Sequence, residues 1–556
     1  MGHLNPVIKR KIMFSWKEFE KTKVILSQDQ SYKDLVGQHH LFIRPVDLIR
    51  WIEMSGEDLG FLTLVEIAGV DLKGSLNQSY RFELIYHLLN MGTHQRLNIH
   101  IFFDESESVP SIVNLFSNAD WLEREQWEAL GINFNRQMFP LLLPKDQKKF
   151  PLRKDVNSGS WNEDIPEAMP LLRKNPNKSE APYLEEAFVW KHYDLYSPYS
   201  LGLFEWKVCY DPEKIVNSKA NIGFYHQGLE TILEQKNWQH TLQIVDKINM
   251  GAAPNYGIAW AKTIEDLFRF KIPERAQAIR IVALELSRIA EHLTVMHEIT
   301  FSLKLDENRL FINAREKVYE LFEKYCGRRQ GAGIARFGGV KEDLPHGWIV
   351  EYQAVCEVVL KSLRTIHRSL LGQSVFRENL QGSEVSAQTA LQWGVSGPAM
   401  RACGLNFDLR KSQPFYFYQD IDFDIPVGIN GTAYERYLIR YEEIFQSFRI
   451  ITQVIDNLPM GAFLNPDLDK DYLGVQEYLQ KIDLTREWHY TGLESPNGEA
   501  GFLVMFNEIA SPQRIKIKTP SLPLAQALPL FIRNVREGQL AACLASMGIR
   551  QSELDR

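Results

Sequence analysis

The sequence of 556 residues has little cysteine, with five in all. No two form a C-x-x-C pair, which argues against a zinc ribbon or a cysteine-only iron–sulfur centre on this chain. An odd, scattered set also does not fit the disulfide framework of a secreted domain. We expect reduced, mostly buried thiols at Cys209, Cys326, Cys356, Cys403 and Cys543.

Long apolar runs are also missing. No stretch approaches the roughly 20 residues that a membrane-spanning helix needs, and the amino terminus lacks the apolar segment of a secretory signal. The net charge of −7, with both signs interspersed, gives no support for nucleic-acid binding. Neither G-x-G-x-x-G nor G-x-x-x-x-G-K-[ST] occurs, so no nucleotide-binding loop is expected. These absences predict a cytoplasmic protein of two or more globular domains.

The first part of the chain alternates short apolar runs with polar residues, which is typical of a small α+β domain. Residues 46–52 have apolar positions at helical spacing. The predicted strands are residues 61–67, 80–89 and 97–103. We therefore predict an N-terminal extension at 1–35 and a first domain at 36–156, which we expect to fold on its own.

Residues 157–185 are rich in Ser, Asn, Glu, Lys and proline, the composition of an extended linker. The second domain, 186–556, is predicted to be mainly helical. In residues 275–296 apolar side chains recur every three or four positions, whereas Arg280, Glu285 and Arg288 lie elsewhere around the helix. A β-hairpin is predicted from residues 501–506 and 514–518.

Three motifs follow one another in the first domain. Val-Pro-Ser-Ile at 109–112 precedes the charged segment 119–130, which ends at Gly131, and Pro-Leu-Arg-Lys-Asp follows at 151–155. Alone, the middle motif indicates only an amphipathic helix with a C-cap glycine. Together the three resemble the C subunit of respiratory complex I.

The second domain resembles the D subunit of the same complex, and the chain ends in Glu-Leu-Asp-Arg where that family ends in E-V-D-R. The matching segments, in family order, are 221–228, 273–280, 336–345, 396–404, 408–411, 422–428 and 434–438. The resemblance implies a fused C/D subunit with an α+β fold. A small α/β domain is followed by a mainly helical domain related to the large subunit of membrane-bound group 4 nickel–iron hydrogenases.

Such hydrogenases carry the same fusion, so they are a competing interpretation. Nickel and iron need four cysteine thiolates in two C-x-x-C pairs. The corresponding positions are Asn249, Ala252, Arg550 and Glu553. Because none of them supplies a thiolate, we expect neither hydrogenase activity nor a bound metal on this chain.

The D-subunit resemblance implies quinone reduction, but the head-group positions differ from the family pattern. Leu201 corresponds to the family's histidine ligand and Met250 to its tyrosine, while Ser302 lies at or beside the acidic residue that supports the histidine. Near the terminal iron–sulfur cluster, Gly331 corresponds to a histidine and Gln227 to an arginine. We therefore expect atypical or lost quinone chemistry.

Neighbouring residues are candidates to replace the missing donors. Tyr199, Tyr256 and His297 lie within a few residues of the changed positions and can donate hydrogen bonds or protons. Each is also explained as an ordinary packed side chain, and Tyr199 is the best candidate. Arg336, which opens one of the matching segments, is expected near the iron–sulfur-bearing partner and its cluster together with Gly331 and Gln227.

The resemblance implies a peripheral-arm subunit of an NADH-quinone oxidoreductase, on the cytoplasmic side of the cell membrane, that couples electron transport to ion translocation. The expected partners are an iron–sulfur-bearing B-type subunit, other peripheral-arm subunits and the membrane module. Iron–sulfur clusters and NADH are expected on those partners, and quinone only in the assembled complex. The alternative is a catalytically silent adaptor in a hydrogenase-related or antiporter-associated membrane complex.

Overall fold

A computed structural model describes residues 30–33, 37–73, 80–144, 149–155, 188–468, 488–506 and 512–556. The predicted linker and most of the predicted N-terminal extension lie outside these ranges. Within them, no helix combines the length and apolar character needed to cross a membrane.

The first domain is built on a five-stranded sheet with the order β1-β2-β5-β4-β3. Strands β2 and β5 are parallel, and the other neighbouring pairs are antiparallel. The strands are β1 Gln30–Lys33, β2 His39–Ile43, β3 Thr63–Asp71, β4 Phe82–Asn90 and β5 Gln95–Phe103, and the helices are α1 Leu48–Leu59 and α2 Ala119–Leu130. The three predicted strands and both predicted helices are confirmed, whereas β1 and β2 were not predicted.

Helix α2 packs against β3 through a position that requires glycine. A Cβ atom at Gly69 would lie 2.7 Å from Leu130 Cδ1, so a larger residue would push the helix away from the sheet. The Gly69 amide also donates to Gln126 Oε1 at 2.9 Å. The helix ends at Gly131, as predicted, with a φ of 74° and its amide bonded to the Trp127 carbonyl.

The second domain surrounds one long central helix, α6, which spans Glu274–Ser302 and has helices and strands packed around it. Its other helices are α3 Leu229–Glu234, α4 Leu242–Val245, α5 Ala253–Phe268, α7 Asn308–Cys326, α8 Trp348–Leu371, α9 Ser374–Asn379, α10 Ala387–Gln392, α11 Gly397–Ala402, α12 Leu409–Ser412, α13 Ala433–Asp456, α14 Ser521–Gln526, α15 Leu528–Phe531, α16 Glu537–Met547 and α17 Gln551–Leu554. The mainly helical character is therefore confirmed.

Three small antiparallel sheets complete this domain. They contain β6 Val189–Tyr193, β7 Glu205–Asp211 and β8 Lys214–Asn221; β9 Ala335–Arg336 and β10 Gly339–Val340; and β11 Trp488–Ser495, β12 Gly498–Phe506 and β13 Pro512–Lys518. The predicted hairpin is confirmed as β12 and β13, and β11 extends it to three strands. The sheet of β6, β7 and β8 was not predicted.

The charged residues in the middle of α6 are buried rather than solvated. Arg280 makes two 2.6 Å bonds to the Glu265 carboxylate. Glu285 accepts from Arg410 at 3.1 Å, and Arg288 lies 3.3 Å from Glu285. Because neighbouring elements cover this part of the helix on all sides, each of these charged side chains needs a partner inside the protein.

Buried charges also join the two domains. Lys516 of β13 has no exposed side-chain surface and pairs with Glu125 of α2. The same amine lies 3.4 Å from Glu230 of the second domain. It also lies 3.9 Å from Glu66 of the first domain. The Arg556 guanidinium approaches Glu125 at 3.3 Å. These contacts argue against independent folding of the first domain, because separating it would leave buried carboxylates without their cations.

A chain of hydrogen-bonded side chains crosses the buried face of the first-domain sheet. In order they are Arg96, His87, Asn98, His40, His100 and Glu83, with successive distances of 3.0, 2.5, 3.3, 2.8 and 2.8 Å. Arg96 can only donate and the ionised Glu83 can only accept, so the bonds run in one direction and each histidine is neutral.

Both ends of this chain are held by the second domain. Arg96 donates to Glu499 at 2.7 Å, and Trp488 Nε1 donates to Glu83 at 3.0 Å. Burial lowers the pKa of His100, and burial together with the charge of Arg96 lowers the pKa of His87 well below its usual range. Protonation of His87 or His100 is therefore unfavourable in the folded state.

We predict that Lys516→Met lowers the free energy of unfolding by roughly 3–5 kcal/mol, the usual effect of removing one partner from a buried ion pair. The denaturation midpoint of the full chain measures this change. Lys317→Met is the control, since Lys317 pairs with Glu320 at an exposed site. Equal, small shifts for both variants would contradict the claim that the Lys516 cluster holds the domains together.

Acidification is predicted to weaken the folded state through His87 and His100. The unfolded chain binds their protons near a pKa of about 6.5, whereas the folded chain binds them only at lower pH. Below about pH 6.5 each unit of pH therefore removes up to about 1.4 kcal/mol of stability per histidine. Melting temperatures from pH 7.5 downwards test this, with His87→Gln expected to flatten the profile. An exposed-site control is His240→Gln; if it flattens the profile equally, the assignment is wrong.

Candidate functional site

The position corresponding to the family's histidine lies in a turn between β6 and β7. Leu201 has a φ of 51°, in the left-handed region, and 36% of it is exposed. The turn is held by the bond from the Leu203 amide to the Ser200 carbonyl at 2.9 Å. A further bond, from Gln551 Nε2 to the Gly202 carbonyl at 2.7 Å, fastens the turn to the carboxyl-terminal segment.

The position corresponding to the family's tyrosine opens the turn before α5. Met250 is 44% exposed, whereas its neighbour Asn249 is buried and caps the turn by accepting from the Ala252 amide at 3.2 Å. Beneath this turn lies Glu291 of α6. A Cβ atom at Gly251 would lie 2.7 Å from Glu291 Oε2, so only glycine fits at that position without a shift.

Ser302 is the last residue of α6, and its hydroxyl donates to the Glu298 carbonyl at 2.7 Å. One helical turn before it, the Glu298 carboxylate accepts from Arg550 Nη1 at 2.7 Å. Arg550 Nε donates to Glu291 at 2.5 Å, so its guanidinium bridges two carboxylates of α6. The segments that carry Leu201, Met250 and Ser302 are thus each tied, through a neighbouring residue, to the carboxyl-terminal segment 550–553.

The four positions of the absent metal ligands also come together. Asn249 Nδ2 donates to Glu553 Oε1 at 2.7 Å, and the second oxygen of Glu553 bonds to Ser521 Oγ at 2.5 Å. Arg550 is directed toward Glu291 instead. An amide, a methyl group, a guanidinium and one carboxyl do not match the thiolate donors of nickel and iron, and no group of three metal-ligating side chains is found in the described ranges.

Protonation differs between the two carboxyl groups of this cluster. Burial raises the pKa of Glu553 to about 7, and the charge of Glu291 adds to the increase. Burial acts on Glu291 in the same direction, but the Arg550 guanidinium outweighs it and lowers the pKa of Glu291. At neutral pH, the cluster therefore contains one carboxyl group that can hold a proton beside one that stays ionised.

The candidate replacement donors are placed differently from one another. Tyr199 is half-buried and its ring packs on Tyr193 with centroids 5.1 Å apart. Tyr256 is fully buried, and burial beside Glu553 raises its pKa well above the ordinary value. His297 Nδ1 bonds to the Asn308 carbonyl at 3.0 Å. Of the three, Tyr256 is the one in contact with the Asn249–Glu553 cluster.

Three further predicted positions lie away from this cluster. Gly331 is buried with a φ of 73°, and a Cβ there would lie 2.8 Å from Phe322 and 2.9 Å from Pro254, which explains why no histidine fits. The Gln227 side chain is exposed just before α3. The Arg336 side chain is also exposed, and its carbonyl accepts from Arg280 at 2.7 Å. The two exposed side chains remain available to a partner.

Sequence reasoning missed the role of the carboxyl-terminal charges. Arg550 and Glu553 were noted only as residues that cannot replace cysteine, and Glu291 and Glu298 were not singled out. A usable signal was present in these two residues. The resemblance aligns Arg550 and Glu553 with cysteines that bind a buried metal in nickel–iron hydrogenases, and charged side chains at such buried positions need buried partners. The partners lie on α6, about 250 residues away in sequence, where no local pattern identifies them.

Comparison with known proteins covers both domains. The family model of the respiratory-chain NADH dehydrogenase 30 Kd subunit matches residues 42–160, and that of the 49 Kd subunit matches residues 308–556.

Among full-length relatives, the chain is 31% identical over 527 residues to the C/D subunit of NADH-quinone oxidoreductase from Bdellovibrio bacteriovorus, covering 92% of this chain and 93% of that protein. The corresponding protein of Acidiphilium cryptum is 29% identical, with 85% of each chain covered. That of Nitrosospira multiformis is 28% identical, with 86% of this chain and 83% of the relative covered.

We predict that Gln551→Ala releases the turn that carries Leu201, because it removes the bond to the Gly202 carbonyl. Amide hydrogen exchange in residues 197–203 should become faster. Gln453→Ala is the matched control, since Gln453 holds another turn through the Asp422 carbonyl at 2.6 Å. Exchange at 197–203 that is unchanged in Gln551→Ala, or equally faster in both variants, would contradict the role of Gln551.

Proposed function

Because the chain belongs to the fused C/D subunits of NADH-quinone oxidoreductase, peripheral-arm components of complex I, we propose that it forms, with an iron–sulfur-bearing partner, a cleft in which an electron acceptor is reduced. The observation that supports this proposal is that the segments carrying Leu201, Met250 and Ser302 are each hydrogen-bonded, through a neighbouring residue, to the carboxyl-terminal segment. The length-matched likeness to C/D subunits does not favour the adaptor alternative.

The surface beside these positions favours a hydrophobic acceptor. Leu201 and Met250 are 36% and 44% exposed, and Phe301, next to Ser302, is 63% exposed. Exposed apolar side chains on segments joined to the same carboxyl-terminal residues favour a surface that is covered by another apolar molecule or by a neighbouring protein of the complex. A quinone with an isoprenoid tail fits this description, since each buried CH₂ contributes about 0.8 kcal/mol.

The head-group chemistry of such an acceptor is atypical. Two neutral hydrogen bonds together contribute about 1–3 kcal/mol, so a long tail can offset their loss and binding is retained. Proton transfer is harder to replace, because leucine and methionine have no titratable proton and donate no hydrogen bond to a developing oxyanion. We therefore infer slow proton-coupled reduction at this site.

The remaining assignments of the complex follow from the same proposal. We assign the iron–sulfur clusters and the NADH site to partner subunits and none of them to this chain. The exposed Arg336 and Gln227 side chains are assigned to the face toward the iron–sulfur-bearing B-type subunit. The membrane module lies beyond the cleft, on the cytoplasmic side of the cell membrane, and couples acceptor reduction to ion translocation.

We predict that donor-to-quinone turnover of the purified complex is low and that Leu201→His combined with Met250→Tyr raises it severalfold. Histidine tolerates the left-handed backbone at residue 201 better than most residues. The control combines Leu62→His with Val350→Tyr, which introduces the same residue types at exposed sites elsewhere. Fast turnover by the unmodified complex that is blocked by a quinone-site inhibitor would contradict the proposal.

A further inference from the structure

The buried polar cluster under the cleft contains a carboxyl group with no cationic partner in contact. Glu553 is fully buried, and within the described residues no lysine, arginine or histidine forms an ion pair with it. Its two oxygens face the Asn249 amide and the Ser521 hydroxyl. A buried carboxyl without a cation is more stable when it carries a proton.

The hydrogen-bond partners accommodate that proton. Asn249 has a fixed orientation, because its oxygen accepts from the Ala252 amide and its nitrogen therefore faces Glu553. The proton must then lie on the other oxygen, Oε2, and point to Ser521 Oγ. That hydroxyl has a second lone pair for the backbone N–H of Arg550, which it accepts at 2.9 Å.

Other polar atoms around Glu553 are also buried. The Tyr256 hydroxyl lies beside the Glu553 carboxyl group, and Glu291 Oε2 and Arg550 Nη2 have no hydrogen-bond partner among the described residues. Glu291 Oε2 lies directly beneath Gly251, and the neighbouring residue, Met250, is exposed at the cleft. Unsatisfied buried polar atoms of this kind mark a place that water or a ligand's polar group occupies. This place lies below the turn that carries Met250.

We propose that Glu553 holds an exchangeable proton beneath the cleft and supplies it to the reduced acceptor, in place of the donors absent at Leu201 and Met250. This proposal rests on the proposed function. When electrons from the iron–sulfur-bearing partner reduce the acceptor, the Glu553 O–H bond breaks and an O–H bond forms on the acceptor oxygen. The proton is passed on through the neighbouring Tyr256 hydroxyl and the Glu291 carboxylate, each of which returns to its starting protonation state, and solvent then reprotonates Glu553.

The first test uses the full chain alone. The infrared difference spectrum between the native chain and Glu553→Gln should show the C=O band of a protonated, buried carboxyl group at pH 6, and this band should be lost as the pH rises through about 7. Taking the difference removes the bands of other buried carboxyl groups whose pKa is raised, such as Glu128 and Asp246. Glu298→Gln is the control and should give no such difference band, because Glu298 is paired with Arg550 and partly exposed. A difference spectrum of Glu553→Gln without the band at pH 6 overturns the proposal.

The second test is the melting temperature of E553Q, whose amide reproduces the hydrogen bonds of the protonated carboxyl group. Unfolded glutamate ionises near pH 4.5, whereas folded Glu553 ionises at about 7, so the native chain loses stability between these values as pH rises. E553Q should therefore melt higher than the native chain at pH 8 and equally at pH 4.5. A lower melting temperature at pH 8 would show that Glu553 is stabilising as an anion, and the proposal fails.

The third test uses the assembled complex. E553Q should reduce residual quinone turnover at least tenfold with little change in KM. The pH profile of turnover should have a step near pH 7 in the native complex and no such step in E553Q. If both the turnover and its pH profile are unchanged in E553Q, the claim that Glu553 delivers the proton to the acceptor is overturned. Absence of any turnover in the native complex would contradict the proposed function instead, because the infrared and melting tests do not depend on an acceptor.

Discussion

The burial of the middle of helix α6 is the constraint on which the rest of the second domain depends. A helical segment covered on every side has no face on which charges can reach water, so Arg280, Glu285 and Arg288 each require a partner. Those partners come from α5, α12 and α6 itself. Because desolvation offsets most of the Coulomb attraction, such pairs add little net stability, but removing one partner is expensive. They therefore fix the geometry of the elements around α6.

The same constraint shapes the cleft. In the carboxyl-terminal segment, Arg550 lies between Glu291 and Glu298, and Asn249 bonds to Glu553. Two of these carboxylates belong to α6, so the central helix also positions the cleft. The Arg550 guanidinium pairs with both Glu291 and Glu298, whereas Glu553 has hydrogen-bond partners but no cation in contact among the described residues. The chemistry that this cluster offers is the protonation of protein groups.

Much of the fold could be predicted from the sequence because its signals are local. The alternating runs that became β3, β4 and β5, the glycine that ends α2 and the apolar spacing of α6 are each visible within a few residues. Strand β2 was missed because its parallel partner, β5, is more than 50 residues away and its own run is short. Strand β11 was missed because it contains polar residues, such as Glu494, that are buried only through partners elsewhere in the chain.

The family resemblance predicted site positions at Leu201, Met250 and Ser302 without any distance information. The structure ties the segment around each of them to the carboxyl-terminal residues 550–553. The resemblance could not reveal that Arg550 bridges two carboxylates of α6. Ion pairs between residues about 250 positions apart produce no periodic pattern in the sequence. At Gly331 the structure supplies an explanation that the sequence could not. The family has a histidine at this position, and the left-handed backbone and close neighbours of Gly331 explain why glycine is found here instead.

The central claim is that protein side chains alone fill the buried cluster around Arg550 and Glu553. A high-resolution density map of the assembled complex tests it most directly. The account predicts continuous density from the Arg550 guanidinium to the Glu291 and Glu298 carboxylates, and the Asn249 amide within hydrogen-bonding distance of Glu553. A metal ion bound by Glu553 and Glu291, with Arg550 turned away from both carboxylates of α6, would contradict it.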